Sequence, residues 1–392
     1  MRHFREGWFA TSTIWIVVCR GARLFSLVVL CATAAACAVA PGMRMTKSAT
    51  LPVTEADKNS PATELPVPIT DINLSLIAQL RDAAQKTANE QTQKLTAQPS
   101  AYTLGVGDVL QITVWDHPEF AAAQPPQSQA PTRASDPIAG FVVDESGNLQ
   151  FPFIGALHVE GERIEQVQRD LKRALVKVFV DPQVTVRIAS YRAKQVYVDG
   201  EVHTPGSLTL NDIPMTLYEA INRAGGFSPT ADQSRLVLVR NGRSYPLNLP
   251  QMLDSGQSPS NIILQSGDLL RVVSRDENGV FVMGEVNKPA TALPMRDGRL
   301  TLSDAISQAG SFNTSSADAA QLYVIRGLTG TSSQVFHLDA HSPVSMLLAN
   351  QFELQPKDIV YVDGNGLVRF NRVLTLLLPA LNAGLTAAIV TK

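Results

Sequence analysis

The chain has 392 residues, with 33 Lys and Arg against 35 Asp and Glu and a formal net charge of −2 at pH 7. That balance excludes a surface built to neutralise nucleic-acid phosphates. At about 100 to 200 residues per domain, the length accommodates two to four folding units.

The chain opens with Arg20 and Arg23 ahead of an apolar run, Leu24 to Ala36, that ends in small residues. The run is shorter than the roughly 20 residues of a bilayer span, so residues 1–36 read as a secretion leader. An earlier apolar stretch, Trp8 to Val18, lengthens it. Three alanines before Cys37 resemble the end of a lipoprotein signal and make Cys37 the candidate lipidation residue, although Ala34 stands where such signals favour Leu; ordinary cleavage nearby is the other reading. Ala38, rather than Asp, follows and favours the outer membrane. Cys19, Cys31 and Cys37 are the only cysteines, so a chain beginning at Cys37 has no intramolecular disulfide. Residues 37–100 form a linker segment: a Pro/Thr/Ser-rich tether from Pro41 to Pro68, then an expected helix from Asp71 to Leu95 through Ile72, Leu76, Leu80 and Ala84.

A first domain is expected over 101–192. Gly107-Asp108 launches an alternating strand to Trp115, and Asp116-His117-Pro118-Glu119 turns the chain. The stretch 121–137, with Pro125, Pro126, Pro131 and Pro137, resists regular structure. Two strands joined by a turn at Ser146-Gly147-Asn148 come next. A helix then presents Ile164, Val167, Leu171, Ala174, Leu175 and Val178, broken by Asp181-Pro182 before a strand at Gln183 to Ile188.

The remainder is duplicated. Val198-Asp199-Gly200-Glu201-Val202 returns as Val282-Met283-Gly284-Glu285-Val286, and Leu217 to Gly225 returns as Leu302 to Gly310. Ser266-Gly267-Asp268-Leu269 likewise returns as Pro356-Lys357-Asp358-Ile359 at the close of each copy. The period exceeds that of stacked solenoid units, so each copy reads as a small domain, 193–275 and 278–364. In both, a strand enters a glycine turn and a helix follows, with Leu217, Ala220, Ile221 and Ala224, or Leu302, Ala305, Ile306 and Ala309, on one face. Ser303 stands near the start of the second helix. Strands at Leu236 to Arg240 and Leu269 to Val273, and at Leu322 to Arg326 and Ile359 to Val362, complete a helix on a small mixed sheet. The fold class is α+β.

The last segment, 365–392, is apolar from Phe370 onward and long enough as a helix to span about 35 Å. Asn371, Thr375, Asn382 and Thr386 fall within about 60° on a helical wheel, a narrow polar stripe. From the residues alone this is a core helix, a single-span anchor, or one stave of a barrel whose polar stripes face a water-filled lumen. Pro379 interrupts one backbone bond without forbidding any of these.

Catalytic signals are weak. His337 and His341, four residues apart, would share a helix face, but Pro343 limits that helix and no carboxylate follows in zinc-protease spacing, so no metal is assigned. Asp116-His117 reads as a turn, and the Gly-Glu-Val turns lack a phosphate-loop pattern. No cofactor and no enzymatic activity are expected.

The runs at 107–119 and 143–155, Asp181-Pro182-Gln183-Val184, the tandem repeats and the apolar C-terminus together resemble the outer-membrane polysaccharide export lipoproteins of the Wza type, over about residues 100–392. The resemblance implies an export domain followed by two sugar-export (SLBB) modules of β-grasp type. It further implies an octameric periplasmic ring stack anchored by N-terminal lipid, and a C-terminal helical barrel through the outer membrane. Eight helices about 10 Å apart would enclose a lumen of about 15 to 17 Å, wide enough for a hydrated sugar chain. The partners implied are the polysaccharide, other copies of the chain, and an inner-membrane polysaccharide co-polymerase or tyrosine autokinase. The function expected is export of a capsular polysaccharide or exopolysaccharide; the alternative is a periplasmic polysaccharide-binding lipoprotein that forms no pore.

Overall fold

A computed structural model describes residues 43, 45, 50–52, 64–96, 99–117, 120, 140–327, 333–372 and 375. They fall into two compact units, one of residues 78–278 with 294–299 and the other of the remaining residues.

The chain begins with an antiparallel pair, β1 (Thr50–Pro52) and β2 (Glu64–Pro66), then β3 (Ile69–Asp71) and helix α1 (Leu74–Leu95). Of the stripe Ile72, Leu76, Leu80 and Ala84 expected from the sequence, only Ile72 is buried, and it precedes the helix. Within the helix Ile77, Thr92 and Leu95 are buried instead. Leu95 joins the core of the first repeat, and Asn89 accepts a 2.9 Å hydrogen bond from Gln257.

The domain that follows has a three-stranded sheet in the order β5-β4-β8, from β4 (Val109–Val114), β5 (Phe141–Val142) and β8 (Val184–Ser190). A hairpin of β6 (Asn148–Phe151) and β7 (Gly155–His158) and helix α2 (Ile164–Leu175) complete it. Leu110, Ile112 and Val114 alternate inward along β4 and meet Val167, Leu171 and Leu175 of α2 in one core. The Gln166 side chain accepts the Arg163 N–H at the start of α2. The helix stops at Leu175 rather than at Asp181-Pro182, so Val178, expected on its buried face, is exposed.

Each repeat is one helix packed on a mixed sheet. The first comprises β9 (Gln195–Gly200), β10 (Gly206–Thr209), α3 (Leu217–Arg223), β11 (Ala231–Arg240), β12 (Arg243–Leu247), a short α4 (Leu249–Asp254) and β13 (Leu269–Ser274). The second comprises β14 (Val280–Gly284), β15 (Ala290–Ala292), α5 (Leu302–Gln308), β16 (Ala317–Arg326), β17 (Gln334–Leu338), α6 (Met346–Gln351) and β18 (Ile359–Gly364). Strand orders are β10-β9-β13-β11-β12 and β15-β14-β18-β16-β17, the second extended at its edge by β3. Within each repeat the first and last long strands pair in parallel and the other neighbours antiparallel, while β3 adds to β17 in parallel. The duplication read in the sequence is therefore a duplication of topology.

The same side chains do the same work in each copy. Leu217, Ala220 and Ile221 of α3, and Leu302, Ala305 and Ile306 of α5, are buried. The helix N-caps are Thr216 and Thr301, whose hydroxyls accept the Glu219 and Asp304 N–H; Ser303 lies within the helix instead. Gly200 and Gly284 take φ of 86° and 94°, and a Cβ there would stand 2.0 and 2.1 Å from the carbonyl oxygens of Val272 and Val362. Only glycine fits so close a crossing.

A motif common to all three domains starts a strand that lies inside its sheet: β4, β13 or β18. Gly107, Gly267 and Lys357 have φ of 91°, 85° and 67°, and each precedes a buried aspartate, Asp108, Asp268 or Asp358. Each carboxylate accepts the N–H three residues back, of Gly105, Gln265 or Gln355, at 3.1, 2.8 and 2.8 Å. In the repeats it also binds a buried arginine through two nitrogens: Arg240 to Asp268, closest 2.6 Å, and Arg326 to Asp358, closest 2.7 Å. The paired charges and the backbone donor fix the last loop of the repeat to its long strand. In the first domain Asp108 binds the Tyr102 hydroxyl at 2.8 Å and the N–H groups of Arg192 and Ala193. Burial and this carboxylate push the Tyr102 phenol well above its ordinary range.

Candidate functional site

The second repeat departs from the first where its last strand ends. At the position of Val273 in the first copy stands Asp363, 3% exposed, followed by Gly364 and a new helix over 366–372. Asn365 caps that helix: its side-chain oxygen accepts the Val368 N–H at 2.9 Å, and its amide donates to the Ser315 carbonyl at 3.2 Å.

Two ion pairs on one side of the helix hold it down. Arg369 meets Asp363 at 3.0 Å, with side chains 20% and 5% exposed, and Arg372 meets Glu285. The two carboxylates come from opposite ends of the repeat, Glu285 following β14 and Asp363 ending β18. Beside them Tyr361 donates to the Met43 carbonyl at 2.5 Å, and burial followed by the nearby Asp363 pushes its phenol up to about 12. In the first copy the equivalent of Glu285 is used internally: Glu201 accepts the hydroxyls of Ser228 and Thr230, which hold its carboxyl below the usual carboxylate range. Duplication has left one acid for the turn and freed the other for the C-terminal helix.

Of the residues singled out for function, Cys37, Asn382 and Thr386 lie outside the described residues. Asn371 and Thr375 are helical and exposed, one turn apart, and the Thr375 hydroxyl donates to the Asn371 carbonyl at 2.8 Å. Among the described residues no helix is long and apolar enough to cross a membrane. Periodicity missed Asp363, Glu285, Arg369 and Arg372. A strand-by-strand alignment of the repeats would have exposed the first, because Asp363 interrupts the apolar end of the strand where Val273 continues it.

The histidine pair resolves differently from its sequence reading. His337 lies on strand β17, not on a helix. Its ring nitrogens meet Asp71 at 2.7 Å and the Ala320 carbonyl at 2.8 Å, tying β3 to the sheet edge. His341 lies beyond the strand, beside Asp339 at 3.6 Å. Asp116 takes a φ of 64° in the turn expected of it, and the His117 ring packs edge-on against Phe179 with centroids 4.3 Å apart. Among the described residues no cluster of His, Cys, Asp and Glu is arranged to hold a metal ion.

Comparison with known proteins gives these features a family context. Residues 96–189 match the polysaccharide biosynthesis/export protein family, and 194–272 and 278–362 each match the SLBB domain. The chain is 43% identical over 369 residues to the EPS I polysaccharide export outer membrane protein of Ralstonia nicotianae, covering 91% of this chain and 94% of that one. It is 25% identical to the capsule polysaccharide export protein of Haemophilus influenzae, covering 87% and 91% of the two chains. With the capsule polysaccharide export outer membrane protein of Neisseria meningitidis identity is 24%, covering 81% and 85%.

Proposed function

Because the chain belongs to the polysaccharide biosynthesis/export protein family, we propose that it is the outer-membrane subunit through which a capsular polysaccharide or exopolysaccharide reaches the cell surface. The observation that carries the finer reading is the C-terminal helix, rooted on the second repeat by Arg369–Asp363 and Arg372–Glu285 with Asn371 and Thr375 left exposed. A helix whose base is clamped and whose polar stripe continues to Asn382 and Thr386 suits a stave, because a ring of such staves hides the stripe from lipid and wets the lumen. Lipid on Cys37 would hold the other end of the chain at the same membrane, with 101–192 and the two repeats in the periplasm. Copies of the chain, eight by resemblance, form the ring, and an inner-membrane co-polymerase supplies the polymer. The chain's contribution is geometric: it encloses and guides the polymer, and no residue is assigned a catalytic role.

Truncation after Arg372 tests the reading, since it keeps both ion pairs and removes the rest of the stave. The shortened chain is expected to keep its repeats folded, by circular dichroism and thermal melting, and to abolish surface polysaccharide. Export that survives the truncation would remove the helix as conduit and leave a polysaccharide-binding lipoprotein without a pore.

A further inference from the structure

The sheet β5-β4-β8 buries one face in the domain core and carries a different chemistry on the other. There β4 presents Gln111, Thr113 and, just past its end, Trp115, while β8 presents Thr185 and Arg187, with Gln183 immediately before it. Gln111 stands opposite Arg187, and Thr113 opposite Thr185. Trp115 is 60% exposed, an unusual place for so large an apolar ring. Its indole is held in place: Nε1 donates to the Thr185 hydroxyl at 3.2 Å, and the chain leaves the strand at once through Asp116. Among the described residues no carboxylate lies within ion-pair distance of the exposed Arg187.

We propose that this face is a contact site for an acidic polysaccharide. The aromatic ring stacks on the apolar C–H face of a pyranose, Gln111, Thr113 and Gln183 exchange hydrogen bonds with its hydroxyls, and Arg187 pairs with a carboxylate further along the same polymer. Pyranose rings are apolar on their faces and polar around their rims, and an immobilised aromatic flanked by amides and hydroxyls matches that division. The four-residue rise from Gln183 to Arg187 is about 13 Å along the strand, the reach of a short oligosaccharide. Charge selects the class of sugar, because a guanidinium with no ion-pair partner among the described residues gains from a carboxylate and gives a neutral glycan no equivalent partner. The inference rests on the export reading and deepens it.

The test uses the full chain in detergent, with fluorescent oligogalacturonate as acidic probe and dextran oligosaccharide as neutral probe. Trp115→Ala is expected to weaken oligogalacturonate binding by about tenfold or more, as stacking-platform losses do. Trp115→Phe should keep most of the binding, and Arg187→Gln should weaken the acidic probe while leaving dextran unchanged. Matching melting curves show that the variants fold, and Arg187→Gln carries the test alone should Trp115→Ala fail to fold. A parent that binds neither probe, or variants that bind like the parent, overturns the proposal. So does a Trp115→Ala chain whose oligomer mass changes while the parent indole fluorescence ignores the probe, since the face would then join two copies. Surface polysaccharide that persists in Trp115→Ala but vanishes on truncation after Arg372 would sink this site and leave the export reading standing.

Discussion

Replacing Asp268 by Asn leaves the Arg240 guanidinium, about 10% exposed, without its counter-charge, and stranding one member of a buried pair costs about 3–5 kcal/mol. The double replacement Arg240→Met/Asp268→Leu should recover only part of that. The Gln265 N–H that Asp268 also binds stays unsatisfied, at about 1–3 kcal/mol. Urea midpoints of the three proteins check both numbers. Glu201 behaves differently because it is held by hydroxyls. Ser228 and Thr230 lower its folded pKa below the unfolded value, so their contribution is present above about pH 4.3 and is lost as pH falls through the folded pKa. Glu201→Gln is therefore expected to be less stable than the parent at neutral pH, with the gap closing on acidification. A gap that stayed constant from pH 7 to pH 3 would show that the carboxylate charge plays no part.

Helices α3 and α5 were legible in the sequence because their apolar residues fall at one helical spacing and glycine follows each. Both faces are buried as that pattern requires. Leu217→Asp or Leu302→Asp puts an unpaired charge into a closed core and is expected to destabilise its repeat by several kcal/mol. Local loss of amide protection in hydrogen exchange would place the damage, and equal loss in both repeats from one substitution would contradict their separate cores. Other elements were illegible for physical reasons. Strands β10, β12, β15 and β17 are short or mix polar residues into the pattern, and β16 begins Ala-Asp-Ala-Ala-Gln, with little β preference, on the far side of a bulge. Helix α2 was read too long because Val178 continues the periodicity after the backbone has left the helix. The ion pairs of the C-terminal helix were hidden because Glu285 and Arg372 are 87 residues apart and neither breaks a local pattern.

At the scale of the whole chain, two repeats of the same strand order follow a third domain built around the same buried-aspartate turn. Repetition of a turn and its carboxylate gives each domain a closed loop end without disulfides. The export reading requires several copies. The detergent-extracted protein is expected to sediment as a ring-sized oligomer, and Cys37→Ser is expected to lower the amount recovered from the outer membrane while leaving the sheets folded. A monomer in mild detergents at every concentration would contradict the oligomer and, with it, the barrel.

Strand β18 lies inside its sheet, bonded to β14 on one edge and β16 on the other, and the C-terminal helix leaves directly from its end. Tension applied through that helix therefore acts along β18 and loads both ladders sideways, all bonds at once, instead of peeling them open singly. A hinge on an edge strand would give way under drag from a moving polymer far more readily. Pulled from the helix in an optical trap, the second repeat should yield in a single high-force step, whereas pulling on its edge strand β15 should unzip it gradually at low force.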